Sequence, residues 1–253
     1  MKVLVTGNKS GLGKYLHENF PNAMGWDRDT TEDEKEKIRK AGVDILIHCA
    51  SNSAREVTSE SLFSYIQDNV CLAKELTAIP HKKFIFISSV DVYPRNSEMH
   101  AEDDIIDMNA VEGIYAICKL ASESIVREYS PNYLIMRCSA FLGSYARKNS
   151  LLKIKEDENP TVTLTPDSEF NYVLYQDVLK FLQVAIEKDL RGICNLASSK
   201  NITLSRAADM FGKKVTFGEF RYRVGNIDNT KAASLIPAFK KSSEEIIREF
   251  ATL

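Results

Sequence analysis

No apolar run approaches the ~18 residues of a membrane-spanning helix, so the sequence gives no candidate span. Nor is there an excess of either charge: 33 Lys and Arg against 35 Asp and Glu leave a net charge of -2. That balance gives no footprint for nucleic acid or an anionic membrane. Histidine is scarce, and His17, His48, His81 and His100 lack ligand spacing, so no metal site is expected. Cys49, Cys71, Cys118, Cys138 and Cys194 stand singly in apolar runs, which excludes a disulfide framework and points to reduced, buried thiols. Met1-Lys-Val-Leu-Val-Thr6 begins a strand directly and reads as lacking a signal peptide; a cytoplasmic setting is the expectation.

What is present is an alternation of short apolar runs with longer helical patterns, the signature of a parallel sheet covered by helices on both faces. Strands are predicted at Lys2–Thr6, Ala23–Asp27, Asp44–Ala50, Lys83–Ser88, Tyr133–Ser139 and Gly192–Leu196. Helices are predicted at Gly11–Asn19, Thr31–Lys40, Ser59–Thr77, Val111–Tyr129 and Tyr175–Lys188. The fold class is therefore α/β: a Rossmann-type doubly wound parallel sheet. Residues 1–143 and 171–200 form the dinucleotide-binding part, and 144–170 with 201–253 form a small substrate cap over the carboxyl edge. Within the cap, a helix is expected at Ser205–Phe211, a strand at Val215–Phe217 and a closing helix at Ser242–Thr252.

Gly7, Gly11 and Gly13 directly follow a strand and open a helix, the setting a dinucleotide fingerprint requires. The turn through Gly7, Ser10, Gly11, Leu12 and Gly13 presents helix N-terminal amides to a pyrophosphate. Asp27, 20 residues beyond Gly7, stands where a carboxylate accepts hydrogen bonds from an adenosine ribose, which favours NAD. Arg28 beside it is a guanidinium able to clamp a 2′-phosphate, so NADP is the alternative. Only 16 residues separate Asp27 from Asp44, room for a helix but not for a further strand.

Tyr115 and Lys119 lie four apart, hence on one helix face. Such a pair arises by chance about once in a chain of this composition, so position must supply the specificity. Ile114, Ile117, Cys118, Ala121 and Ile125 supply an apolar stripe, and Pro131 closes the helix. A lysine ammonium one turn away is expected to favour the tyrosinate over a phenol of pKa near 10.

With Asp44-Ile-Leu-Ile-His-Cys-Ala50, Ile87-Ser-Ser-Val-Asp-Val-Tyr93, Arg137-Cys-Ser-Ala-Phe-Leu-Gly143 and Asn195-Leu-Ala-Ser, the chain resembles a short-chain dehydrogenase/reductase. Within that superfamily it is similar to the extended branch, the NAD-dependent epimerase/dehydratase family, which modifies sugar nucleotides. The resemblance implies that Ser89 is the catalytic hydroxyl, Tyr115 the acid/base and Lys119 its partner. It further implies that Asn69, Ala50, Ser51 and Cys138 lie along the cofactor, Cys138 standing where a proline or tyrosine is common. Dehydratases of this kind carry an acidic pair after the hydroxyl residue, whereas Val90 and Asp91 occupy those positions here.

The expected function is an NAD(P)-dependent oxidoreductase acting on a keto or hydroxyl group of a sugar or nucleotide-sugar. A cofactor-retaining epimerase is the first alternative, and a catalytically silent dinucleotide-binding regulator is the alternative of another class. Asp91, Asn171, Arg221 and Arg223 are the candidate substrate contacts, the two arginines as partners for a diphosphate. By analogy the helices at Ser59–Thr77 and Val111–Tyr129 pair two subunits into a homodimer.

Overall fold

The computed structural model describes residues 1–54 and 56–253. Six strands, all parallel, stand in the spatial order Gly192–Leu196, Tyr133–Cys138, His81–Ser89, Val43–His48, Val3–Thr6 and Met24–Trp26. Their side chains divide by pleat parity. Val3, Val5, Ile45, Ile47, Ile85 and Ile87 pack against the helices Gly11–Asn19 and Tyr175–Glu187. Leu4, Leu46, Phe84, Phe86 and Ile135 pack on the opposite face, against Ile38, Leu76 and Val126. Both faces are covered, which is why the strands read as continuous apolar runs rather than as alternation.

Strand order reverses between Val3–Thr6 and Val43–His48, the switch point at which such sheets open a crevice. One short strand, Met24–Trp26, lies beyond Val3–Thr6, in keeping with the 16-residue spacing. Thr6 Oγ1 meets His48 Nδ1 at 2.8 Å and accepts from the Ala50 amide at 3.1 Å, fixing the two strand ends that flank the crevice. Burial holds His48 neutral by lowering its pKa to about 3.

The expected Ser59–Thr77 helix contains an interruption: α-helical Leu62–Ile66 and Leu72–Thr77 are joined by a π turn at Gln67–Cys71. The Val215–Phe217 strand is not formed, and Thr216 makes only a lone bridge to Thr161. The basic stretch after Gly143 forms the helix Ser150–Glu156, capped by Asn149. Its Leu151 and Leu152 join Leu142, Tyr172, Leu174, Ile246, Ile247 and Phe250 in a separate apolar cluster. Ala232, Ile236 and Phe239, grouped by sequence with the cap, pack instead into the main core beside Phe181 and Leu182. Among the described residues no helix is long and apolar enough to cross a membrane.

Beneath the carboxyl edge runs a buried polar chain. Ser88 Oγ donates to Glu123 at 2.5 Å, and Glu123 holds Arg137 at 2.8 Å. Arg137 donates to the Tyr93 hydroxyl at 2.9 Å, which in turn donates to Asn195 Oδ1 at 2.9 Å. Removing one member strands the other charge, so Glu123→Ala is expected to lower unfolding free energy by about 3–5 kcal/mol. Glu123→Leu combined with Arg137→Met should recover most of that loss. Urea denaturation of the two variants checks the ordering, and equal losses for the single and the double variant would refute it.

Candidate active site

A cleft of about 1420 Å³ opens over the switch point. Gly7, Ser10, Gly11, Leu12 and Gly13 line one wall, as the sequence predicts. Two glycines are enforced by space. A Cβ on Gly13 would lie 2.3 Å from the Gly7 carbonyl oxygen, and one on Gly7, at φ 68°, would lie 2.9 Å from Ala50 backbone. Ser10 caps the following helix without a side-chain hydrogen bond, so its first-turn amides remain available to an anion.

Asp27 is also in the cleft, but one oxygen is engaged: Oδ1 accepts from the amides of Asp29 at 2.8 Å and Thr30 at 3.1 Å. The other, Oδ2, lies 3.7 Å from Lys9 Nζ. Arg28 ion-pairs with Asp68 at 2.5 Å across the cleft mouth, tying the Asp27 loop to the π turn. Asp29 lines the cleft as well.

Ala50 and Ser51 border the cleft, whereas Asn69 does not. Buried in the π turn, Asn69 accepts from Ser51 Oγ at 2.9 Å and from the Asn52 amide at 3.0 Å, and donates to the Asn52 carbonyl. Its backbone carbonyl accepts from Ser122 Oγ at 2.8 Å. The expected cofactor contact is thus a clamp on the loop that forms the cleft wall.

A second pocket of about 320 Å³ adjoins the first, sharing Ser88, Asp91, Tyr115, Ala140 and Phe141. Ser89, Tyr115 and Lys119 converge at this junction from the end of one strand and the face of one helix. Lys119 Nζ donates to the Ile87 carbonyl at 2.9 Å and lies 5.6 Å from the Tyr115 ring centroid. Burial pulls its pKa down to about 8. The Tyr115 phenol is raised, first by burial of its hydroxyl and then by the Asp91 carboxylate, against an opposing hydrogen bond with Ser89. Burial and Asp91 thus act against the expected tyrosinate.

Asp91 accepts from Ser89 Oγ at 3.2 Å and from the Tyr222 hydroxyl at 2.8 Å. Cys138 lines the smaller pocket rather than the cleft, its thiol held neutral by burial. Asn171 borders the same pocket, but its amide is consumed: it accepts from the Ser198 amide and donates to Ser198 O and Asn201 Oδ1. Arg221 and Arg223 line neither space; they pair with Asp167 at 2.9 Å and Glu169 at 3.7 Å. Between and after them, Tyr222 and Val224 face the pocket. Strand-like alternation through 221–224 is the signal that would have found Tyr222. The sequence also did not single out Phe141, Phe170, Lys9 or Tyr175 as wall residues. Among the described residues no cluster of His, Cys, Asp or Glu is able to hold a metal.

The sequence model of the NAD dependent epimerase/dehydratase family matches residues 3–197. No curated protein sequence matches the chain. A dTDP-4-dehydrorhamnose reductase from Bacillus anthracis, solved with NADP, superposes with a TM-score of 0.80 at 19% identity, covering 99% of either chain. A UDP-glucuronic acid 4-epimerase from Bacillus cereus, solved with UDP-glucuronic acid and NAD, gives 0.79 at 19% identity, over 100% of this chain and 98% of the other. A dTDP-glucose 4,6-dehydratase from Bacillus anthracis, with NAD, gives 0.74 at 14% identity over 100% and 97%. At these identities the likeness is one of fold.

Burial of the Lys119 ammonium has a thermodynamic consequence. With a folded pKa near 8 against 10.5 for the free side chain, the unfolded chain holds the proton more tightly. The charge therefore lowers stability below pH 8, and stability recovers as pH rises toward 10.5. Lys119→Met is expected to raise unfolding free energy at pH 7 by about 1–3 kcal/mol and to flatten that rise. Denaturation curves at pH 7 and 10 test this; a destabilised variant would contradict it.

Proposed function

The chain belongs to the NAD dependent epimerase/dehydratase family, and on that footing we propose that it is an NAD(P)-dependent oxidoreductase of a keto or hydroxyl group on a sugar or nucleotide-sugar. The observation that carries the reading is the meeting of a dinucleotide-sized cleft and a small pocket at Ser89, Tyr115 and Lys119. The cofactors of the neighbouring enzymes, NAD and NADP, support it.

The residues fit such a cofactor. The Gly7–Gly13 turn and the amides at Ser10, Gly11 and Leu12 suit its pyrophosphate, and Asp27 Oδ2 suits an adenosine ribose. Asp27 favours NAD, with Lys9 and Arg28 as the groups through which NADP is accommodated. The nicotinamide, when bound, supplies or accepts the hydride. Lys119, fixed on the Ile87 carbonyl, orients the ribose beside it, and Ser51, held by Asn69, lines the same wall. Ser89 positions the substrate oxygen, and Tyr115 moves the proton.

Because Tyr115 is held protonated, delivery of a proton to a developing alkoxide is its resting competence. Ketoreduction is the leading reading and epimerisation its alternative. A reductase consumes NAD(P)H stoichiometrically, whereas an epimerase retains NAD without net turnover. The third reading, a silent cofactor-binding protein, sits poorly with three catalytic side chains assembled at one junction. A homodimer through the two adjoining helices is supported by exposed Leu62 and Phe63 on one and Ile117 on the other. Five free cysteines fit a reducing, cytoplasmic setting.

Tyr115→Phe is expected to cut turnover by roughly 10²–10⁴-fold while cofactor affinity is kept. Reduction needs the protonated phenol, so its rate falls as pH rises through the Tyr115 pKa, and oxidation rises over the same range. Since the Asp91 carboxylate raises that pKa, Asp91→Asn should move both limbs to lower pH. Unaltered turnover in Tyr115→Phe would sink the enzymatic reading, and an unmoved limb in Asp91→Asn would remove Asp91 from it.

A further inference from the structure

The smaller pocket carries information about what enters it. At about 320 Å³ it sits at the bottom of the ~300–1,000 Å³ range of ligand sites, enough for one ring. Phe141, Phe170, Tyr222 and Val224 supply an apolar wall, with the Phe170 and Tyr222 rings 4.6 Å apart. That suits the C–H face of a sugar ring. The polar edge opposite is made of Ser89, Asp91 and Tyr115.

Charge is the discriminating feature. Among the described residues that line this pocket there is no lysine or arginine, and Asp91 is its one carboxylate. Among the described residues the nearby cations face other partners, although Arg95 Nε and Arg223 Nε are themselves buried without one. Arg95, over the Tyr222 ring at 4.8 Å, is shared between Asp91 at 3.6 Å and Glu112 at 3.2 Å, so one positive charge faces two carboxylates. Arg137 is consumed by Glu123 and Tyr93, while Lys119, which holds the Ile87 carbonyl and keeps its charge, lines the cleft and not this pocket. Arg221 and Arg223, the sequence candidates for a diphosphate, pair with acids outside the pocket. Arg147 lines the cofactor cleft, where it contacts Ser53.

We infer that the sugar ring reaching Tyr115 is uncharged: a neutral hexose or deoxyhexose unit, free or nucleotide-linked, and not a uronate or a ring phosphate. The inference rests on the redox reading above and narrows its substrate class. A ring carboxylate entering here meets Asp91 at short range in a partly desolvated site, where like charges repel strongly, and no lysine or arginine among the described lining residues offsets it. A neutral ring offers hydroxyls that Asp91 accepts. The specificity element is thus Asp91, held in place by Tyr222 and Ser89.

The test uses twin probes that differ only in oxidation at C6: UDP-glucose against UDP-glucuronic acid, and glucose against glucuronate. Binding to the full chain supplied with NAD is measured by calorimetry, and ring contact by saturation-transfer NMR. The neutral twin is expected to bind about tenfold or more tightly, and Asp91→Asn to shrink that ratio about fivefold. Tyr222→Phe, which keeps the charge, should preserve the preference and so separates charge from disruption of the wall. Equal or tighter uronate binding, an unchanged ratio in folded Asp91→Asn, or binding of neither twin would overturn the inference. A protein that binds cofactor yet prefers the uronate breaks this inference alone, whereas one that binds neither NAD nor NADP breaks the redox reading beneath it.

Discussion

The structure depends on how a parallel sheet ends. Apolar strands buried on both faces must finish somewhere, and at their carboxyl ends the backbone stops pairing and the side chains turn polar. Here the polar residues fall in register: Thr6 beside His48, and Ser88 and Asn195 on either side of Arg137. Because they are buried, each must find a partner. Thr6 joins His48 and the Ala50 amide, while Ser88, Arg137 and Asn195 are joined through Glu123 and Tyr93. The strand ends that carry the site are therefore immobilised by bonds below it, and Ser89 inherits its position from Ser88.

The same logic explains the helix that lines the cleft. The helix there widens into a π turn at Gln67–Cys71, and the Asn69 carbonyl within it accepts from Ser122. With its backbone tied to one neighbour, Asn69 uses its side chain to grip the Ser51–Asn52 loop on the other side. A local defect in one helix thus sets the wall of the crevice two elements away. Local irregularity near a ligand site is a common use of π turns.

Much of this was legible in the sequence, for reasons that divide cleanly. The strands could be read because double burial writes them as unbroken apolar runs, and the glycine turn because Gly13 is demanded by backbone contact with Gly7 only six residues before it. Ser89, Tyr115 and Lys119 were found because two local patterns happen to be brought together by the sheet. What the sequence hid was pairing over long separations. Nothing near Asn69 announces that its amide is spent on Asn52, or near Asn171 that it holds Ser198. Arg221 and Arg223 were misplaced because their segment forms only an isolated bridge, and without a recognised strand its alternation gives no facing. Tyr222, the residue that does face the pocket, is the casualty of that ambiguity.

Electrostatics turned the expected roles at the junction. Lys119 is buried and held by a carbonyl, while burial and the Asp91 carboxylate raise the Tyr115 phenol. Ser89 then becomes the point of decision, since a serine hydroxyl has one proton and two acceptor sites. Its oxygen accepts from the Asp91 amide at 3.1 Å and its proton points to the Asp91 carboxylate at 3.2 Å. A substrate carbonyl can only accept, so to bind it Ser89 must rotate its proton away from Asp91. The vacated carboxylate oxygen is then free for a hydroxyl of the incoming ring, while Tyr222 retains the other. On the proposed reading, engagement of a keto group and recognition of its neighbouring hydroxyl are a single exchange, in which the hydrogen bond that Asp91 loses from Ser89 is replaced by one from the ring.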